Sequence, residues 1–95
     1  MRMMLRWTVP VDKGNAMIKD GSMGTVIESL MERLQPEAAY FFPEGGERAG
    51  MIIFDMKDSS EIPGITEILF QGSDAAIEFV PVMNAEDLNK GLGSL

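Results

Sequence analysis

Three charged residues stand among apolar neighbours in segments that alternate like β-strands: Arg6, Asp55 and Glu78. Alternation places all three on one side of a sheet, among methionines and isoleucines, where an unpaired charge is costly. One reading makes them a site: Arg6 holds an anionic group, and Asp55 or Glu78, its pKa raised by desolvation, moves a proton. The other makes them a structural ion pair, or rim charges that fix how two subunits register. Trp7, Tyr40, Phe41 and Phe42, with nine methionines in the chain, supply the walls of an apolar pocket, with Tyr40 as its hydroxyl donor. Aromatic residues on strands also serve simply as core. Arg48, beside the Gly45-Gly46 turn, is placed either to clamp a carboxylate or to stand in solvent as a hairpin charge.

Other chemistry is excluded by residue type. The chain has no histidine and no cysteine, so a Ser-His-Asp triad, thiolate chemistry, disulfides and Cys/His zinc sites are all ruled out. Glu44, Glu47, Asp55 and Asp58 match no metal-binding spacing, and we expect neither a metal nor a cofactor. Gly21-Ser22-Met23-Gly24 lacks both the lysine and the preceding strand of a phosphate loop. Fifteen acidic residues against eight basic ones give a net charge of −7. That field opposes binding to nucleic acid or to an anionic membrane. Arg2 and Arg6 interrupt any signal-peptide core, and no apolar run reaches membrane-spanning length, so a cytoplasmic protein is expected.

The elements that must carry these residues follow from periodicity. Met3 to Val9 alternates as a strand that Pro10 ends. From Asp12 to Leu34 an apolar stripe runs through Ala16, Met23, Ile27, Leu30 and Leu34, with Val26 alongside. Glycines at 14, 21 and 24 weaken it, which predicts a firm helix over 22–34, capped by Ser22, after a weaker lead that Asp12 caps. These glycines mark a break or tight packing, or let a ligand approach the backbone.

Pro36 stops that helix, and residues 37–42 form a second strand. Pro43-Glu44-Gly45-Gly46 makes a hairpin connection into a strand over 48–56, apolar on both sides and therefore central. Ser60 caps the next helix, with Pro63 in its first turn, Ile62, Ile65, Ile68 and Leu69 on its buried side, and Gly72 near its end. Residues 75–83 form a fourth strand, in which Pro81 implies an edge position or a bulge. Asn84 with Asp87 caps a short last helix reaching about Lys90.

The order β-α-β-β-α-β plus a short helix is the ferredoxin-like arrangement of a single α+β domain over residues 1–95. It predicts a four-stranded antiparallel sheet of order 4-1-3-2, with both main helices on one face. The first and third strands are expected at the centre, running parallel to each other. Leu5, Trp7, Val9, Ile52, Phe54, Met56, Ile77 and Phe79 face the helices. Met4, Arg6, Thr8, Met51, Ile53, Asp55, Ala76, Glu78, Val80 and Val82 face away, with no large helix left to cover them. Such a patch exceeds what a soluble monomer usually shows. At about 25 cal/mol per Å² its burial would return many kcal/mol, so we expect a homodimer paired sheet to sheet.

The pattern resembles the dimeric α+β barrel superfamily of ferredoxin-like proteins. Leu34-Gln35-Pro36-Glu37-Ala38-Ala39-Tyr40-Phe41, Phe54-Asp55-Met56-Lys57-Asp58 and Pro81-Val82-Met83-Asn84-Ala85-Glu86-Asp87-Leu88 are similar to an uncharacterised bacterial family of about this length. That resemblance implies a fold and a dimer but no activity. The superfamily includes cofactor-free monooxygenases, lactone isomerases, haem-binding enzymes and ligand binders, several of whose enzymes use a histidine this chain lacks. Three functions are therefore carried forward. The first is a homodimer binding a small apolar or aromatic ligand in a sheet-lined pocket. The second is a cofactor-independent monooxygenase or isomerase using Tyr40, Arg6 and Asp55 or Glu78. The third is a module whose sheet face only pairs subunits.

Overall fold

The computed structural model describes residues 1–95. Its elements are β1 (Arg2–Val9), α1 (Val11–Asp20), α2 (Ser22–Leu34), β2 (Ala38–Glu44), β3 (Glu47–Asp55), α3 (Ile62–Ser73), β4 (Ala76–Pro81) and α4 (Ala85–Leu92), with a 3-10 turn at Ser59–Glu61. The four strands form one sheet in the order β2-β3-β1-β4, the predicted order read from the other edge. Both edge strands carry a proline, Pro43 in β2 and Pro81 in β4, where a missing N–H does least harm to the ladder.

Neighbouring strands are all antiparallel, including the central pair β1 and β3. The expected parallel pairing of the first and third strands is therefore wrong. Each helical crossover returns the chain in its original direction, so β2 runs with β1, and the hairpin then reverses β3. That hairpin is two residues long. Gly45 and Gly46 have φ of +57° and +81°, the doubly positive pattern whose twist suits adjoining strands.

Alternation in β1 buries Met3, Leu5, Trp7 and Val9 and leaves the even positions partly exposed. The core closes over them with Ile52, Phe54 and Met56, Leu30 and Leu34 of α2, and Ile65 and Leu69 of α3. Phe54 meets Phe79 edge-to-face at 6.2 Å, so β4 joins the same layer. α2 and α3 approach closely where Gly72 faces Val26: a Cβ there would lie 3.0 Å from Val26 Cγ2.

Local differences from expectation have simple causes. Gly21, at φ +82°, breaks the first helical segment into α1 and α2 and shifts its phase. The buried residues of α1 are therefore Gly14 and Met17, whereas Ala16, counted in the stripe, is exposed. Gly21, not Ser22, occupies the cap of α2, and Pro10, not Asp12, precedes α1. The 3-10 turn that leads into α3 is capped by Asp58, which exchanges hydrogen bonds with Glu61 in a capping box, and Glu61 itself stands at the cap position of α3; Ser60 lies inside the turn. Asp74, at φ +55°, ends α3 beyond Gly72. The Asn84–Asp87 box at α4 forms as expected.

Candidate functional site

Charged residues at the Met1 end of the sheet are mutually satisfied. The N-terminal ammonium donates to Asp55 at 2.7 Å, and Lys57 also pairs with Asp55. Held by the Lys57 ammonium and then by the N-terminal ammonium, the Asp55 carboxyl is pulled down to about 2. This is opposite to the raised value expected of a proton-moving group. Asp55 is solvated, so no desolvation outweighs its two cationic partners. Arg2 bridges Glu37 at 2.6 Å and Asp87 at 2.7 Å, tying β1 to the start of β2 and to α4.

Arg6, Glu78 and Tyr40 share the open face, as alternation requires. Arg6 is directly opposite Glu78 on β4 and Met51 on β3, and Met51 opposes Tyr40 on β2. The ion-pair partner of Arg6 is nevertheless Glu44, a residue sequence reasoning did not place near it. The Arg6 guanidinium also lies 5.8 Å from the Phe42 ring centre. Asp55 is four positions along β3 from Met51, about 13 Å at the strand rise. Arg6, Asp55 and Glu78 thus share a face without forming one cluster. The depression that Arg6 and Glu78 line with Thr8, Glu44 and Ala76 holds only about 80 Å³, room for a few waters.

The largest cavity is on the other face, at the hairpin end. A groove of about 670 Å³ runs between α2 and the sheet, lined by Trp7, Val9, Met23, Gly24, Ile27, Glu28, Phe41, Phe42, Pro43, Arg48 and Ala49. Seven of these eleven are hydrophobic, and the volume is that of a small-molecule site. Its floor is Trp7, which meets Phe41 edge-to-face at 6.2 Å. Trp7 can lie flat because its neighbour on β3 is Gly50: a Cβ there would fall 2.5 Å from Trp7 Cη2 and 2.9 Å from Cε2. Gly24 forms part of the helical wall and has no atom within 4 Å of where its Cβ would be. This glycine neither breaks the helix nor permits tight packing; it leaves room.

Arg48 stands at the mouth. Its Nη1 donates to Asn15 Oδ1 at 2.9 Å, and a Cβ on Gly14 would lie 3.0 Å from the same nitrogen. The side chain is thus laid across α1 by a glycine and a neutral acceptor. No carboxylate pairs with it, unlike Arg2 and Arg6. Of the residues expected to line a pocket or bind ligand, Trp7, Phe41, Phe42 and Arg48 meet in this groove, whereas Tyr40 stands on the open face. Met23, Gly24, Ile27 and Glu28 form its helical wall; Gly24 is among the glycines read as able to let a ligand approach, and the other three were not expected as lining residues.

Asp and Glu side chains nowhere gather in threes that could hold a metal ion. No helix is long and apolar enough to cross a membrane. Neither protein-family models nor curated protein sequences gave a match to this chain.

Proposed function

We propose that this protein binds a small apolar or aromatic molecule in the groove between α2 and the β2–β3 hairpin. One observation carries the reading: the groove is open, mostly apolar and floored by a tryptophan that Gly50 makes space for. Trp7 is the chain's only tryptophan, so its fluorescence reports on the groove directly. Titration with naphthalene should give saturable quenching of Trp7. Gly24→Phe should abolish that quenching without lowering the melting temperature, since open space surrounds the position of its Cβ. Absence of saturation, or an unaltered response in Gly24→Phe, would rule the site out.

A second proposal concerns assembly. The open sheet face exposes Tyr40 and Val80 beside half-covered Met4, Met51 and Ile53. α4 adds Leu88 and Leu92, both exposed, and buries none of its residues. A second copy of the chain, paired face to face, would cover this surface, and the resemblance to the dimeric α+β barrel superfamily supports that pairing. Sedimentation equilibrium at micromolar concentration should report a dimer, and Ile53→Asp should convert it to a folded monomer. A wild-type monomer under those conditions would defeat the proposal.

A further inference from the structure

We infer that the groove selects a monocarboxylate: an apolar body on Trp7, Ile27 and Phe41, with its acid group on the guanidinium of Arg48. The inference rests on the groove being a binding site and names the class of molecule it takes. A guanidinium has five N–H donors in a fixed fork, and Arg48 uses one of them, on a neutral amide oxygen. No carboxylate lies within ion-pair distance of it, although the chain has fifteen acidic residues to draw on. The fork matches a carboxylate with two parallel hydrogen bonds, and it is already oriented by Asn15 and the Gly14 backbone. An acid with a hydrocarbon or aromatic body satisfies both parts of this mouth at once, whereas a wholly neutral molecule leaves the cation unused.

Glu28 faces the same groove from α2. Its negative charge opposes a second anionic group on the ligand, so one carboxylate is favoured over two. It also sets the sign of a test, because its removal should tighten an anion and leave a neutral molecule unaffected.

The experiment compares 2-naphthoate with 2-naphthamide, equal in shape and different in charge, by Trp7 quenching on the full chain. Wild type should prefer the acid by about tenfold or more, as hydrogen bonds to a charged partner warrant. Arg48→Gln should erase that preference by weakening the acid far more than the amide, and Arg48→Lys should keep part of it. Glu28→Gln should tighten the acid alone, by a few-fold. Equal affinity for the two probes, or a preference that survives Arg48→Gln, would overturn the carboxylate assignment and leave the groove reading standing. If neither probe binds, both readings fall. If neither binds until Leu88→Ser and Leu92→Ser are introduced together, the groove is filled by the C-terminal helix of another copy, and the carboxylate assignment is overturned.

Discussion

The two ends of the sheet treat their charges differently. At the Met1 end, the N-terminal ammonium, Lys57 and Asp55 form one group, and Arg2 with Glu37 and Asp87 another. Two capping boxes, Asp58–Glu61 and Asn84–Asp87, close the adjoining helix starts. At the hairpin end Arg6 is paired with Glu44 on the open face. On the helix-covered face, however, Arg48 has no acidic partner, a Cβ on Gly24 in the first turn of α2 would touch nothing, and Trp7 lies under an open groove. The proposed site rests on this contrast. Charges that answer one another do structural work, and an oriented cation beside an apolar wall retains its capacity to bind.

That contrast can be tested at either end. The largest effect belongs to Gly50→Ala, which drives a methyl group into the Trp7 ring. Overpacking of this kind costs about 1–3 kcal/mol, so a thermal melt should show a clear loss of stability. Trp7 emission should shift as the groove floor is displaced. An unshifted melt would mean that the floor is soft, and the groove would lose its claim to a fixed shape.

Gly24→Ala should act in the opposite direction. With nothing within 4 Å of the added Cβ, the substitution brings only helix propensity, worth at most about 1 kcal/mol of added stability because Gly24 lies in the first turn of α2. A stabilised variant with weakened ligand binding would identify Gly24 as a residue kept for room at a cost in stability.

The smallest effect is at the closed end and appears only in acid. The Asp55 carboxyl is held at about 2 in the folded chain, below its ordinary 3.8. The unfolded chain therefore takes up this proton first. The stabilisation is present above about pH 4 and lost as pH falls through 2. Asp20, held down by Ser22, and Asp58, held down by Ser60, act with the same sign. In Asp55→Asn the melting temperature should fall less steeply between pH 4 and pH 2 than in wild type. An identical acid limb would show that the Asp55 cluster contributes nothing measurable.

Much of the fold was legible because burial follows simple periods. Alternation in β1 identified Leu5, Trp7 and Val9, each almost fully buried. The element order and the prolines indicated the strand order, and Asn84 with Asp87 announced the last helix. Phase was harder to read. One glycine in a left-handed conformation rotated α1 relative to α2, which moved burial from Ala16 to Met17. Strand direction was misread where a hairpin separates two crossovers.

The candidate site was legible in fragments. Trp7 and Arg48 were identified by residue type, but their meeting depends on how α2 lies over the hairpin, which no local pattern encodes. Arg6, Asp55 and Glu78 were correctly placed on one face, yet a shared face does not fix position along a strand. That distance separates Asp55 from the other two. Gly24 was singled out only as one of three glycines, and what distinguishes it, open space where its Cβ would be, depends on how α2 lies over the sheet.

Pro43 has a consequence for how molecules of this protein can meet. In a two-residue hairpin Glu44 and Glu47 form the bonded pair beside the turn, so Pro43 and Arg48 form the next, unbonded pair. The proline nitrogen is thereby directed at the free margin of β2. An incoming strand finds a ring there in place of a donor. Strand addition is disfavoured at that point of the margin.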